Sequence, residues 1–415
     1  RMCRKGLFRH VSMTILHIHK FFTPKDGATI YLQQLMARQA AAGHTVHILS
    51  TRAPTNAPSP DTKYFIHQYD FSRSEGAARD AKKAWAFLWN AEARDATARV
   101  IREVHPDVIH LHNVYHHFST SILGVIRKSG IPCVQTLHDL KLACPNYKMF
   151  TEGSVCERCK GGKYWNPIIH HCLASSASAN ILAGLEMSVS KMTQAYEKTV
   201  RTFICPSAFY AKKMQEWGEP AAKFTVLPNP AEVSATPAPL GGGFVLFVGR
   251  LVAEKGVETL IRASARVPSL PLRIAGTGPE EETLRHLVRT LNAPHISFLG
   301  FVPPAELAPL RVTAEAVAVP SVWYENSPLA VLEAMGEGVP VLTSNIGGLP
   351  ELITDGQEGF LSDPSSVQAW AESLERLQAI SHDLRLRMGA QGRTRIQKFH
   401  DWNDHLATLE RLYTK

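Results

Sequence analysis

No apolar run in this chain reaches the roughly 18 residues that mark a membrane-spanning helix, so the sequence offers no candidate span. It carries no internal repeat, no low-complexity tract and no recognisable nucleic-acid-binding module. A dinucleotide fingerprint is also missing. Gly276-Thr277-Gly278 has no third glycine, and none of the required spacing follows the first expected strand, which argues against a nicotinamide enzyme. The opening stretch Arg1–His10 is basic but lacks the apolar core of a signal peptide. Met13 directly precedes an apolar strand pattern, so residues 1–12 read as a tail or a misassigned start.

What is present fits a soluble globular protein of two ordinary domains: 415 residues, 45% hydrophobic and 20% charged. The formal net charge is +8 and the pI near 9.1. Such a chain favours acidic partners, here phosphates or an anionic membrane surface rather than nucleic acid. With no export signal, the seven cysteines are expected as reduced thiols. The expected location is therefore the cytoplasm, peripheral at the inner face of the cell membrane.

Short β-branched runs alternate with amphipathic helical patterns, the mark of parallel sheets wrapped by helices. Strands are expected at Thr14–His19, Val46–Ser50, Val108–His112, Cys133–Leu137, Thr202–Cys205 and Thr225–Leu227 in one half. In the other they are expected at Phe244–Val248, Leu272–Ala275, Ile296–Leu299, Ala316–Val319 and Pro340–Thr343. Residues 229–243, rich in proline, glycine and small side chains, read as a linker. The fold class is thus α/β, with two doubly wound, Rossmann-like domains at 13–228 and 244–394. Ligand is expected at the carboxyl ends of the strands, in a cleft that the two domains face. A single helix is expected over 77–104. It reads either as basic and aromatic enough to rest on an anionic bilayer, or as a core helix whose stripe is Trp85, Trp89, Ala93, Ala96 and Val100.

The most informative stretch is Val322-Trp323-Tyr324-Glu325-Asn326-Ser327-Pro328-Leu329-Ala330-Val331-Leu332-Glu333. Ser327 reads as a helix N-cap and Pro328 as the first helical residue. The N–H groups of Leu329 and Ala330 would then form an anion site. Glu325 before the helix start and Glu333 inside it repel phosphate and suit hydroxyls. A ligand with phosphate in the middle and hydroxyls on both sides is a nucleotide sugar. Arg250 at a strand end and Lys255 five residues on can clamp a diphosphate and stabilise its departing charge.

This arrangement resembles glycosyltransferase family 4 and its E-x7-E motif. The resemblance continues through Val248–Gly256, Ala275–Glu280, Gly336–Val341, Asn345–Leu352 and Asp355–Leu361, in family order. It implies the GT-B architecture, with the segment 395–415 as a helix crossing back to the first domain. The implied activity is retaining, metal-independent hexosyl transfer from a UDP- or GDP-sugar, the co-substrate, to an acceptor hydroxyl. The implied acceptor is a glycan or lipid-linked sugar in polysaccharide biosynthesis. The resemblance places Glu325 and His138 at the transferring sugar and Glu333 at the ribose. Gly27, Gly276, Asn326, Ser327 and Leu329 become donor contacts. Where the family has two glycines after the first strand, this chain has Gly27-Ala28, and alanine restricts φ. His112, Asn113 and Asp139 are weaker acceptor-side candidates. No protein base is implied, because a donor phosphate oxygen takes the acceptor proton.

Cys144, Cys156, Cys159 and Cys172 form C-x11-C-x2-C-x12-C within an insert at 144–172. Four thiols around a central C-x-x-C suit a tetrahedral structural zinc, with His170 and His171 as alternative ligands; unmetallated or redox-active thiols are the other reading. Two rival functions stay open: a sugar-nucleotide epimerase on the same scaffold, and a non-catalytic scaffold held by zinc.

Overall fold

The computed structural model describes residues 12–24, 26–71, 73–173 and 177–414. Eleven of the twelve residues read as a tail, and Lys25 of the first glycine loop, lie outside them. Two compact units emerge. One holds residues up to His138 together with 186–204 and 410–415, and the other holds 139–185 and 205–409. The insert 144–172, expected in the first domain, groups with the second unit.

In the first unit β1 (Thr14–Ile18), β2 (Thr45–Leu49), β3 (Val108–Leu111), β4 (Cys133–Thr136) and β5 (Thr202–Cys205) lie in the order β5-β4-β3-β1-β2. The pairings among these five strands are parallel. The chain leaves β1 for β2 on one side and returns to β3 on the other, which opens a crevice at the carboxyl ends of β1 and β3. Apolar side chains such as Ile15, Leu16, Ile18, Ile109 and Leu111 are fully buried, as expected of strands covered on both faces. The helix Gly27–Ala41 follows β1, capped by Asp26, which accepts from Thr29 N–H at 2.9 Å. Ala28 lies inside this helix, so its restriction on φ carries no cost.

The second unit repeats the plan with β6 (Val245–Val248), β7 (Leu272–Ala275), β8 (Ile296–Gly300), β9 (Ala316–Val319), β10 (Val341–Ser344) and β11 (Gly359–Ser362). The order is β8-β7-β6-β9-β10-β11, all parallel. Its reversal falls between β6 and β9, which places the loops after Val248 and after Val319 side by side. One core layer is built on Phe247, Leu260, Ile274 and Trp370, and the opposite one on Val317, Leu332, Met335 and Ile396.

Three expectations need correction. Residues 77–104 form two helices, Ala77–Leu88 and Ala91–Val104, because Asn90 caps the second through Ala93 N–H at 3.1 Å. Ala93 and Val100 are buried, but Trp85 and Trp89 are 66% and 41% exposed, so they are no part of a core stripe. The segment 229–243 is laid along the second unit: Ala238 N–H and Leu240 N–H donate to Glu337 and Val312 carbonyls, and both side chains are buried. The segment 395–415 is interrupted at His400-Asp401, between helices His382–Phe399 and Trp402–Thr414.

Candidate active site

Lys255 closes a single turn, Ala253–Lys255, that follows the β6 loop. Its Nζ lies 2.6 Å from Glu325 Oε1, and Ser321 Oγ donates to the same oxygen at 2.7 Å. Glu325 is 5% exposed. Burial alone would push its carboxyl up, but the Lys255 charge and hydrogen bonds from Lys255 and Ser321 outweigh it and hold the carboxyl below its ordinary value. The residue expected to clamp phosphate is thus also the counterion of the residue expected at the sugar. An ammonium has three N–H donors, and this contact uses one. Arg250 is exposed and makes no ion pair with any described residue.

The helix carrying Glu333 runs Leu329–Glu337 with Pro328, not Ser327, as its N-cap. Proline's missing N–H is tolerated at either position, so the sequence did not separate them. Ser327 is buried and its Oγ has no partner, and the N–H groups of Leu329 and Ala330 make no hydrogen bond among the described residues. Asn326 Oδ1 accepts from Ser207 Oγ at 2.8 Å. Glu333 bonds Arg311 Nη1 at 2.9 Å, and Glu337 takes the other side of the same guanidinium at 2.5 and 2.6 Å. Burial and the nearby Glu337 charge raise the Glu333 carboxyl despite Arg311, although 39% of that side chain is exposed.

Glycines set how closely these loops approach. A Cβ on Gly276 (φ +145°) would fall 1.8 Å from the Gly249 carbonyl oxygen, and one on Gly347 (φ +63°) 2.4 Å from that of Glu325. Gly276-Thr277-Gly278 therefore serves as a seat for the loop that carries Arg250. Glu351, which the sequence did not single out, accepts from Ala208 and Phe209 N–H at 2.8 and 2.6 Å. It caps the helix Ala208–Glu216, whose N-cap Ser207 holds Asn326. The insert also reaches these loops. Lys148 pairs with Glu254 at 2.7 Å, and Glu157 accepts from Tyr324 Oη and Lys213 Nζ, both at 2.8 Å.

In the first unit, imidazoles crowd the ends of β1, β3 and β4. His17 Nε2 meets Gln39 Oε1 at 2.8 Å and His17 Nδ1 meets His112 Nε2 at 3.1 Å. His112 Nδ1 in turn meets His138 Nε2 at 3.0 Å. Burial pushes His17 and His138 down to about 4, with Gln39 and Asp26 respectively opposing it. His138 is thus neutral at pH 7, a hydrogen-bonding group rather than a cation. His112 is fully buried with both ring nitrogens engaged, so it backs His138 and presents nothing outward. Asn113 donates its N–H to His19 Nδ1 at 3.1 Å, and its Oδ1 is buried without a partner. Asp139 spends one carboxylate oxygen on the Lys141 N–H at 3.0 Å. Gly27 opens the helix after β1. The alternation His17-x-His19 and His110-x-His112 on neighbouring strands was the sequence signal for this cluster.

Nitrogens of His17, His110 and His112 lie within 4.8 Å of one another, the one such group of three potential metal ligands among the described residues. Each ring nitrogen already has a partner; His110 bonds Tyr413 Oη and Thr136 Oγ1, both at 2.8 Å. Hydrogen bonding accounts for the trio without a metal.

Comparison with known proteins bears on both units. Residues 25–234 match the family described as Glycosyltransferase Family 4, and residues 230–395 match Glycosyl transferases group 1. D-inositol 3-phosphate glycosyltransferase of Corynebacterium aurimucosum is 36% identical over 187 residues, 42% of this chain and 44% of the relative. A GDP-mannose-dependent phosphatidylinositol monomannoside mannosyltransferase of Mycobacterium tuberculosis is 34% identical over 40% of this chain and 46% of its own. The matched part thus spans less than half the length of these relatives. Among solved structures, sucrose-phosphate synthase from Thermosynechococcus elongatus aligns with TM-score 0.71 at 20% identity, covering 97% of this chain and 98% of that one. Anabaena HepE in complex with UDP and glucose aligns at 0.67 and 17%, covering 97% and 99%. These likenesses bear out the GT-B fold that the E-x7-E resemblance implied. With a family match over half its length and the two parallel sheets that the family's fold requires, the chain belongs to glycosyltransferase family 4.

Proposed function

We propose that this protein transfers a sugar, with retention of anomeric configuration, from a UDP- or GDP-sugar to an acceptor hydroxyl. The observation that carries the reading is the unsatisfied rim of the Glu325 loop. There the buried Ser327 Oγ and the N–H groups of the partly buried Leu329 and Ala330 lack partners among the described residues, at a helix start that favours anions. A buried hydroxyl without a partner is rare in folded proteins, and a diphosphate with its attached sugar satisfies it together with the open N–H groups of the helix start. Arg250 and the remaining N–H groups of Lys255 stabilise the departing diphosphate. Glu325, ionised beside Lys255, faces positive charge developing on the sugar ring, and Glu333 takes ribose hydroxyls. Neutral His138 bonds a hydroxyl of the transferring sugar. Attack from the face of the departing phosphate lets a phosphate oxygen take the acceptor proton, so no residue acts as base.

The proposed acceptor is a lipid-linked glycan at a membrane surface. The net charge of +8 and the exposed Trp85 and Trp89, beside exposed Arg79 and Lys82, support peripheral binding to anionic lipid. The named substrates of the relatives, GDP-mannose among them, and the UDP bound by HepE leave both donor bases in the proposal.

The test is thermal shift with UDP, GDP, ADP and their common sugars, with Glu333→Ala as control, followed by NMR of the product's anomeric centre. A shift with one base that the control loses, and a product with the donor's configuration, are expected. Absence of any shift, free modified sugar without transfer, or an inverted product would each overturn the reading.

A further inference from the structure

The insert 144–172 combines little regular structure with several strained backbone positions. Its regular structure is a hairpin of two-residue strands, Phe150–Thr151 and Ser154–Val155, and a short helix, Asn166–His170. Tyr147, Met149, Glu152 and His171 take positive φ, between 45° and 57°, without being glycine. Such residues persist only where something over-determines them, and a lobe this small has little apolar interior to do so. No disulfide restrains it, since all four of its cysteines are free.

Those cysteines are drawn to one end of the lobe. Cys144 Sγ donates to Asn146 Oδ1 at 3.0 Å, and Asn146 Nδ2 donates to the Cys172 carbonyl at 3.2 Å, so one asparagine ties the first cysteine to the last. Cys156 leaves the hairpin with its N–H on the Met149 carbonyl at 2.8 Å. Cys159 follows in a turn closed by Lys163 N–H at 3.2 Å, where Gly161 and Gly162 take positive φ. A C-x-x-C pair running into left-handed glycines is a turn that can aim two thiolates at one ion.

We propose that Cys144, Cys156, Cys159 and Cys172 bind one structural zinc ion, and that the metal-held lobe braces the loops presenting Lys255 and Glu325. No three of the four sulfurs lie within 4.8 Å of one another, so capture draws the side chains inward to Zn–S distances of about 2.3 Å. The bracing runs through two contacts. Glu157, inside the C-x-x-C, holds Tyr324 beside Glu325, and Lys148 holds Glu254 beside Lys255. This second half rests on the donor-site reading above, and the metal half does not.

The experiment measures zinc per chain by elemental analysis of the full-length protein, and the visible spectrum after cobalt(II) replacement. One metal per chain is expected, with thiolate-to-cobalt absorption, both lost in Cys156→Ser/Cys159→Ser. As that variant risks misfolding, a chelator is added to the unaltered chain, and cleavage by protease should then appear within 144–172 first. A folded chain that takes up neither zinc nor cobalt, or one with a disulfide among these four cysteines, overturns the metal site. For the bracing, Glu157→Gln should keep its zinc and bind nucleotide sugar several-fold more weakly. Unchanged affinity overturns the bracing. Zinc present with no nucleotide-sugar binding by the unaltered chain supports the metal site and overturns the donor-site reading, and the bracing with it.

Discussion

Replacing Lys255 by methionine would leave Glu325 buried without its counterion. Breaking a buried pair by removing one partner costs about 3–5 kcal/mol. Lys255 keeps 22% of its side chain exposed and Ser321 still donates to the carboxylate, which places the loss near the lower end, about 3 kcal/mol. For a unit of this size that lowers the melting temperature by roughly 6–12 °C at pH 7.5. The sign with pH follows from Glu325. In the natural chain its folded value lies below the ordinary carboxyl value, so its stabilisation is present above the unfolded value and is lost as pH falls through the folded one. In the variant the Ser321 hydrogen bond alone opposes burial, the largest of the causes, and the folded value is expected to rise above the unfolded one. Native protein then holds a proton that the unfolded chain has released, and stability falls as pH rises. The deficit should therefore be largest at pH 7.5 and shrink at pH 5.5. Adding Glu325→Gln to Lys255→Met removes the stranded charge and should recover most of the loss. Scanning calorimetry at the two pH values on the three proteins checks this. A deficit independent of pH, or a double variant no more stable than the single, would refute the reasoning.

Burial holds His17 and His138 near 4 against 6.5 when unfolded, so the unfolded chain binds more protons between those values and stability falls as pH drops through that window. Each histidine costs about 2 kcal/mol at pH 5 relative to pH 7.5, and His17→Gln should flatten the slope of melting temperature against pH; an unchanged slope would exclude His17 as a source. Gly276→Ala and Gly356→Ala both place a side chain at positive φ, at a backbone cost of about 1–2 kcal/mol. Only the first also drives a Cβ to 1.8 Å from a carbonyl oxygen, whereas Gly356 has open space, so urea titration should find Gly276→Ala the more destabilising by several kcal/mol. Trp85→Ser with Trp89→Ser should lower co-sedimentation with anionic vesicles several-fold and leave thermal stability nearly unchanged, because both rings are exposed; equal co-sedimentation would remove this surface from the membrane reading.

All strands of the two sheets described above except β11 were legible because fully covered parallel strands read as continuous apolar runs, and each motif-bearing loop followed from the strand before it; β11, with only Phe360 and Leu361 apolar, was read as part of a motif. What stayed hidden depended on partners distant in sequence. Nothing local to Glu351 says that its carboxylate will cap a helix beginning at Ala208. Strand register sets His17 beside His110, and one alternation per strand does not fix register. The break at Asn90 was missed because the residues on both sides of it suit a helix, and only the cap geometry shows where one stops and the next begins. Lys148 and Glu157 looked like ordinary charges of an irregular insert until their partners, Glu254 and Tyr324, were known.

Charge at the proposed donor loops sorts by what each group has left to offer. Lys255 and Glu325 nearly cancel one another, and one oxygen of that buried carboxylate takes both Lys255 and Ser321. Arg250, with no ion pair among the described residues, and the open start of the helix Leu329–Glu337 then set the local sign, which is positive and suits a diphosphate. Around Arg311 the balance reverses: two carboxylates share one guanidinium, leaving a net negative charge that disfavours phosphate and accepts hydroxyl protons. Along the same helix, the proposed donor would place its phosphate at the start and a hydroxyl-bearing group at Glu333. That order matches a nucleotide sugar and not an inorganic anion. Neutralising Arg250 should thus weaken binding of nucleoside diphosphates far more than of nucleosides, while Glu333→Ala weakens both.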